Sequence, residues 1–151
     1  MLPRDFEHVT RVEAESIGPP GQRRFRLTIE EDNDTVVLWL EKQHLQALGH
    51  AFEQILTHLQ VIQVEVPFDH PEERLLLGAD ELQVGRLQVG YDDAHGLVVL
   101  IVHGVETPDE SPPDVLARFT PDQIGNVAMQ IRRVVDIGAR QRANGHYRSG
   151  Y

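Results

Sequence analysis

The chain has no cysteine among its 151 residues. That excludes a disulfide framework, a thiolate nucleophile and a cysteine-ligated zinc site. Long apolar runs are missing too. The longest, Leu97 to Val102, falls far short of the roughly 20 residues a bilayer-spanning helix needs. Met1 to Phe6 is too polar for a secretory core, so the expected compartment is the cytoplasm, with no membrane involved. Aromatic residues make up 6% of the chain and are not interleaved with basic ones, as they are in single-strand nucleic-acid binders. The three serines, Ser16, Ser111 and Ser149, have no Gly-x-Ser-x-Gly context. No glycine loop carries the Lys-Ser/Thr of a phosphate-cradling P-loop.

What is present is ordinary globular composition, 40% hydrophobic and 25% charged. A chain of this size forms one domain that buries roughly 70% of its unfolded surface. The net charge is −10, unevenly spread. Arg132 to Tyr151 holds five arginines against Asp136, or +4; the remainder carries 9 − 23 = −14. An acidic body repels the phosphate backbone and argues against nucleic-acid binding. The basic end, 141–151, reads as a tail appended to a single domain over 1–140.

Hydrophobic periodicity divides the chain. Phe6 to Ile17 reads as a strand, followed by the turn Gly18-Pro19-Pro20-Gly21. Arg23, Phe25, Leu27 and Ile29 alternate with Arg24, Arg26, Thr28 and Glu30, the period of a half-buried strand. Glu31 to Asp34 is a hairpin loop, and Thr35 to Leu40 a third strand. From Glu41 to about Gln60 the period becomes helical, with Leu45, Leu48, Phe52, Ile55 and Leu59 on one face. A linker over Val61 to Glu81 follows. Strands at Leu82–Tyr91, Leu97–Val105 and Val115–Phe119 then precede a second helix. Thr120-Pro121-Asp122-Gln123 opens it with a capping box, and Gly138 is placed to end it.

The two halves align at a fixed offset: Val36 with Val115 (115 − 36 = 79), Leu40 with Phe119, Leu45 with Ile124, Phe52 with Ile131. The expected fold class is therefore α+β, with two repeated β-β-β-α units over about 6–60 and 82–138. Each is expected to form an antiparallel sheet with one amphipathic helix across it, the pair giving a pseudo-twofold platform.

Few residues invite a chemical role. His44, His50 and His58 lie 6 and 8 residues apart, off the i, i+3 or i, i+4 spacing that puts two imidazoles on one metal. Asp69-His70 and Asp93-x-His95 read as turns, and Glu30 to Asp34 lacks the glycine and terminal Glu of a calcium loop. No metal and no cofactor are expected. Trp39, Phe25, Phe52 and Phe119 read as core or sheet-face anchors. Three arginines, Arg23, Arg24 and Arg26, follow the Gly-Pro-Pro-Gly turn in an acidic protein. Either they pair with Glu13, Glu15 or Glu30 across the hairpin, or with the turn amides they form an anion site. Glu41 and His44 are the candidate bases beside such a site.

Gly18-Pro19-Pro20-Gly21-Gln22-Arg23-Arg24-Phe25 and Leu40-Glu41-Lys42-Gln43, with Val84-Gly85-Arg86-Leu87 and Leu116 to Gln123, resemble the signature of the DUF3090 family. The likeness covers nearly the whole chain and implies an uncharacterised bacterial protein with no assigned activity. It also implies a C-terminal zinc-ribbon-like segment of paired cysteines before an Arg-x-Asn-Gly ending. Here Arg142-Ala143-Asn144-Gly145 is present and the cysteines are not. Two functions from different classes are expected from all this. One is a non-catalytic binding module for a protein or small acidic ligand, possible also as a homodimer. The other is an enzyme acting on a phosphorylated or anionic small molecule held by Arg23, Arg24 or Arg26.

Overall fold

The computed structural model describes residues 4–57, 63–66 and 73–149. It is an α+β fold of one mixed eight-stranded sheet and two helices. In chain order the elements are β1 (Arg4–Phe6), β2 (Arg11–Ile17), β3 (Arg24–Glu31), β4 (Asp34–Leu40), α1 (Lys42–Thr57) and β5 (Gln63–Val66). Then come β6 (Glu81–Asp92), β7 (Leu97–Gly104), β8 (Val115–Phe119) and α2 (Pro121–Ser149). The sheet runs β1-β8-β7-β6-β4-β3-β2, with β5 added beside β6.

Alternation in the sequence becomes one buried sheet face. Phe25, Leu27 and Ile29 of β3, Val36, Leu38 and Leu40 of β4, and Val98, Leu100 and Val102 of β7 all point to it, each 7% exposed or less. Leu45, Leu48, Phe52 and Ile55 of α1 and Ile124, Val127 and Ile131 of α2 complete the core. Phe52 meets Phe119 edge-on at 6.4 Å between ring centroids. The two helices pack against each other, and Gly49 permits the approach: a Cβ there would lie 2.9 Å from Ile131 Cγ2.

The expectation of two antiparallel sheets, each with its own helix, is corrected on two points. The sheet is single, and two of its pairings are parallel: β4 with β6 (Leu38 opposite Leu82) and β1 with β8 (Asp5 opposite Leu116). The physical reason is the long α1-containing connection after β4, which returns the chain to the same end of the sheet before β6 starts. The order β8-β7-β6-β4-β3-β2 sets the last strand of the first half beside the first strand of the second, in the same direction.

Smaller boundaries also shift. Phe6 to Ile17 is two strands, because Arg4–Phe6 pairs with β8 and β2 with β3. Those strands end opposite edges of the sheet, yet only Glu7–Thr10 joins them. Five Cα steps reach about 19 Å at most, whereas a flat path of six strand gaps spans about 29 Å. The sheet is therefore strongly curled. The linker over 61–81 contains β5, paired to β6 from Val66 opposite Leu87 to Gln63 opposite Gly90. Gly138 does not end α2, which continues to Ser149 and takes in most of the expected tail; one glycine costs a helix only about 1 kcal/mol. Positions 58–60 of the expected first helix, with His58, and the Asp69-His70 pair lie outside the described residues.

β6 is the strand that places the site. Its burial reads Leu82, Val84, then Leu87 and Val89, a skip of one residue. The pairing with β7 shifts between Val84 and Arg86, a β-bulge at Gly85. A Cβ on Gly85 would stand 2.8 Å from Val105 Cα and 2.9 Å from the Gly104 carbonyl oxygen, so only glycine fits. Below the bulge β6 pairs with β4, and above it with β5. No helix among the described residues is long and apolar enough to cross a membrane.

Candidate functional site

Where β6 changes partner, β4 ends and α1 begins, and a cleft of about 280 Å³ opens. The cleft lies at the carboxyl end of β4, beside the third and fourth residues of β6, where that strand leaves β4. Trp39, Leu40 and Glu41 come to it from the end of β4, and Lys42, Gln43 and His44 from the first turn of α1. Arg23, Arg24 and Phe25 enter from the turn before β3, and Gln83 and Val84 from β6. Glu73 and Leu75 close the remaining side.

Four of the five residues singled out from sequence thus line one cleft: Arg23, Arg24, Glu41 and His44. Arg23 Nη1 donates to Ser16 Oγ at 3.2 Å. Arg24 Nη2 lies 3.4 Å from Glu73 Oε1, both side chains more than half exposed. His44 is 2% exposed, its Nδ1 3.9 Å from Glu41 Oε1 one helical turn back. The Glu41 carbonyl accepts the N–H groups of His44 and Leu45 at 3.1 and 3.0 Å, so Glu41 is the cap residue of α1.

Arg26 goes elsewhere. It lies on the same sheet face as Arg24 but further along β3, 3.3 Å from Glu15, the residue directly across on β2. Its guanidinium also stands 5.7 Å from the centre of the Trp39 ring. For Arg26 cross-hairpin pairing is what the structure contains. Position along the strand, two residues past Arg24, and not the choice of face keeps Arg26 out of the cleft lining.

Three lining residues carried no weight in the sequence. Gln83 is buried, 6% exposed; its Nε2 donates to the Glu73 carbonyl at 2.6 Å and its Oε1 accepts the Leu75 N–H at 3.2 Å. Glu73 reaches the cleft because of that grip. Lys42 is the one lysine of the chain, a signal the sequence did offer. With Arg23, Arg24 and Lys42 against Glu41 and Glu73, the cleft carries 3 − 2 = +1 on a protein of net charge −10. The first-turn amides of α1 add a partial positive charge at the same place.

A second polar cluster sits past the bulge. Arg86 Nη2 lies 3.2 Å from His103 Nε2 and donates to the Asp109 carbonyl at 3.0 Å. His103 Nε2 is also 3.0 Å from the Ser111 carbonyl. These contacts tie the loop after β7 to the sheet. Among the described residues no group of three or more His, Asp or Glu side chains is arranged to hold a metal ion.

The family model described as "Protein of unknown function (DUF3090)" matches residues 4–144. The chain belongs to that family. No curated protein and no solved structure matches it. The match runs through Arg142-Ala143-Asn144 without any cysteine ahead of it, in keeping with a DUF3090 member that lacks the cysteine segment. The stretches that carry the likeness now have positions. Arg23 to Phe25 of the first stretch and Leu40 to Gln43 form two sides of the cleft, and Val84-Gly85-Arg86-Leu87 holds the bulge beside it.

Proposed function

We propose that this DUF3090 protein is a binding module whose cleft at the start of α1 holds a small anionic ligand. The observation that carries the reading is the convergence of Arg23, Arg24 and Lys42 with the first turn of α1 on one cleft. Guanidinium groups and helix N-termini both favour anions. At about 280 Å³ the cleft is at the small end of ligand sites, which suits a metabolite rather than a nucleotide. Trp39, Leu40, Leu75 and Val84 supply apolar wall for its uncharged part.

Thermal unfolding in the presence of inorganic phosphate or pyrophosphate tests this. At 100 times Kd a ligand adds about 2.7 kcal/mol, worth about 5–10 °C in a domain of this size. Arg24→Ala and Lys42→Ala each remove most of that shift. An unchanged Tm with every anion overturns the reading.

A second reading makes the same cleft catalytic, with Glu41 or His44 as base. The burial of His44 beside the Glu41 carboxylate favours it. Under that reading His44→Gln retains anion-linked stabilisation but loses turnover of an added phosphorylated substrate. Retained turnover excludes His44 as the base.

We also infer that the two β-β-β-α runs descend from one unit. The offset of 79 maps Glu41 onto Thr120 (120 − 41 = 79) and His44 onto Gln123 (123 − 44 = 79). In the second run that pair caps α2, Thr120 N–H to Gln123 Oε1 at 2.9 Å and Gln123 N–H to Thr120 Oγ1 at 3.2 Å. In the first run the same two positions line the cleft. Duplication followed by divergence of the side chains at these two positions accounts for both.

A further inference from the structure

Resting on the anion-binding reading, we infer that Trp39 is the ring-binding wall of the cleft, so that its ligand is a small anion borne on a planar aromatic ring. Alternation along β4 turns Val36, Leu38 and Leu40 into the core, which puts Trp39 on the other face of the sheet. The tryptophan therefore takes no part in the core; it is half-buried and lines the cleft. The register sets it directly opposite Arg26 of β3 and Gln83 of β6. Arg26 lies over the ring, 5.7 Å from its centre, and does not line the cleft. The guanidinium thus holds the indole from outside the cleft, and Glu15 in turn holds the guanidinium. A ring fixed in this way loses little freedom when a ligand packs on it.

Arg24 stands on the same face of β3, two residues before Arg26, and is the diagonal neighbour of Trp39. Diagonal pairs on an antiparallel ladder are about 7–8 Å apart, within reach of long and aromatic side chains. An anion on Arg24 therefore carries its substituent against the indole. Leu40, Leu75 and Val84 line the same space. Room permits a ring there, because a cavity of about 150 Å³ takes benzene and the cleft offers about 280 Å³. An aliphatic substituent gains only its buried area. A planar aromatic one also gains the contact between rings, worth about two- to twelve-fold in affinity beyond area.

The test is a titration at pH 8 of the wild type and Trp39→Leu with phenyl phosphate and with cyclohexyl phosphate, followed by backbone amide shifts. Both esters are dianions there, their second ionisation lying near about pH 6. Their rings have the same number of carbons, and only one is flat and aromatic. The wild type is expected to bind phenyl phosphate about two- to twelve-fold more tightly. Trp39→Leu keeps an apolar wall without a ring and is expected to bind the two about equally. Trp39 is the one tryptophan of the chain, so its indole protons give a second readout that needs no variant. In the wild type saturated with phenyl phosphate, nuclear Overhauser contacts are expected between the phenyl and indole protons. Equal affinities in the wild type, an undiminished preference in Trp39→Leu, or no contact between phenyl and indole protons overturns the proposal and leaves the anion site standing. Binding of neither ester to the wild type overturns the anion site and the proposal together.

Discussion

Gln83 Oε1 accepts the backbone N–H of Leu75 at 3.2 Å, and Gln83 Nε2 donates to the Glu73 carbonyl at 2.6 Å. One buried side chain therefore fixes a segment that has no strand or helix of its own. Replacing it with alanine leaves two backbone groups to find water in a partly buried position. A loss of about 1–3 kcal/mol is expected in urea unfolding. Amide exchange at Leu75 should quicken with it, while exchange in β8 keeps pace only with the global stability.

The helix α2 is fastened at its start by Gln123. Its Oε1 accepts the Thr120 N–H at 2.9 Å, and its Nε2 donates to the Val9 carbonyl at 2.7 Å, tying α2 to the β1–β2 connection. Thr120→Ala removes the bond that Thr120 Oγ1 accepts from the Gln123 N–H and is expected to cost about 1 kcal/mol. Gln123→Ala removes the other capping bond and the tie to Val9, so it should cost more. Equal midpoints for the two variants in urea would show the Val9 contact to be idle.

The capping box was legible because both partners lie within four residues. The same holds for β8 and for the helical face of α1, where local period alone decides. What the sequence concealed is non-local. β1 exists because Arg4–Phe6 finds β8, over a hundred positions away, and β5 because Gln63–Val66 finds β6. Parallel and antiparallel neighbours bury the same alternate residues, so the direction of β4 against β6 leaves no trace in the pattern. The bulge did leave one, since Leu82 and Val84 fall out of step with Leu87 and Val89 across Gly85. The cleft divides in the same way. Arg23, Arg24, Glu41 and His44 stand at two junctions visible in the chain. Glu73 and Gln83 enter through a pairing that no local rule announces.

The turn between β6 and β7 carries a pH dependence of defined sign. His95 Nδ1 lies 2.8 Å from Asp92 Oδ2. That hydrogen bond holds the Asp92 carboxyl below its ordinary range. A depressed folded-state pKa contributes stability that is present above the unfolded value, about 3.9. The contribution is lost as pH falls through the folded value. Asp92→Asn should therefore be less stable than wild type at pH 6. The deficit should shrink below about pH 4 and close in stronger acid. Thermal scans from pH 6 down to 2 measure it, and a deficit independent of pH would assign the loss to turn geometry and not to the charge.

Gly85 joins stability to the site. Adding a Cβ forces it against backbone, 2.8 Å from Val105 Cα and 2.9 Å from the Gly104 oxygen, where no rotamer change gives relief. Gly85→Ala is expected to cost about 1–3 kcal/mol or more, since insertion into packed surroundings is destabilising even where side chains can yield. The strand has one other way out, which is to lose the bulge and restore regular pairing with β7. That slip would turn Gln83 and Val84, or Leu87 and Val89, to the wrong face. Either outcome disturbs the point at which β6 leaves β4, so Gly85→Ala should weaken phosphate-linked stabilisation beyond the loss in Tm. The comparison is with Phe52→Ala, which removes a core ring that is not in the cleft lining and costs about 3–5 kcal/mol. At a temperature where both variants are fully folded, Phe52→Ala should keep the wild-type Kd for phosphate and Gly85→Ala should not. An unaltered Kd in Gly85→Ala would show that the cleft is shaped without the bulge.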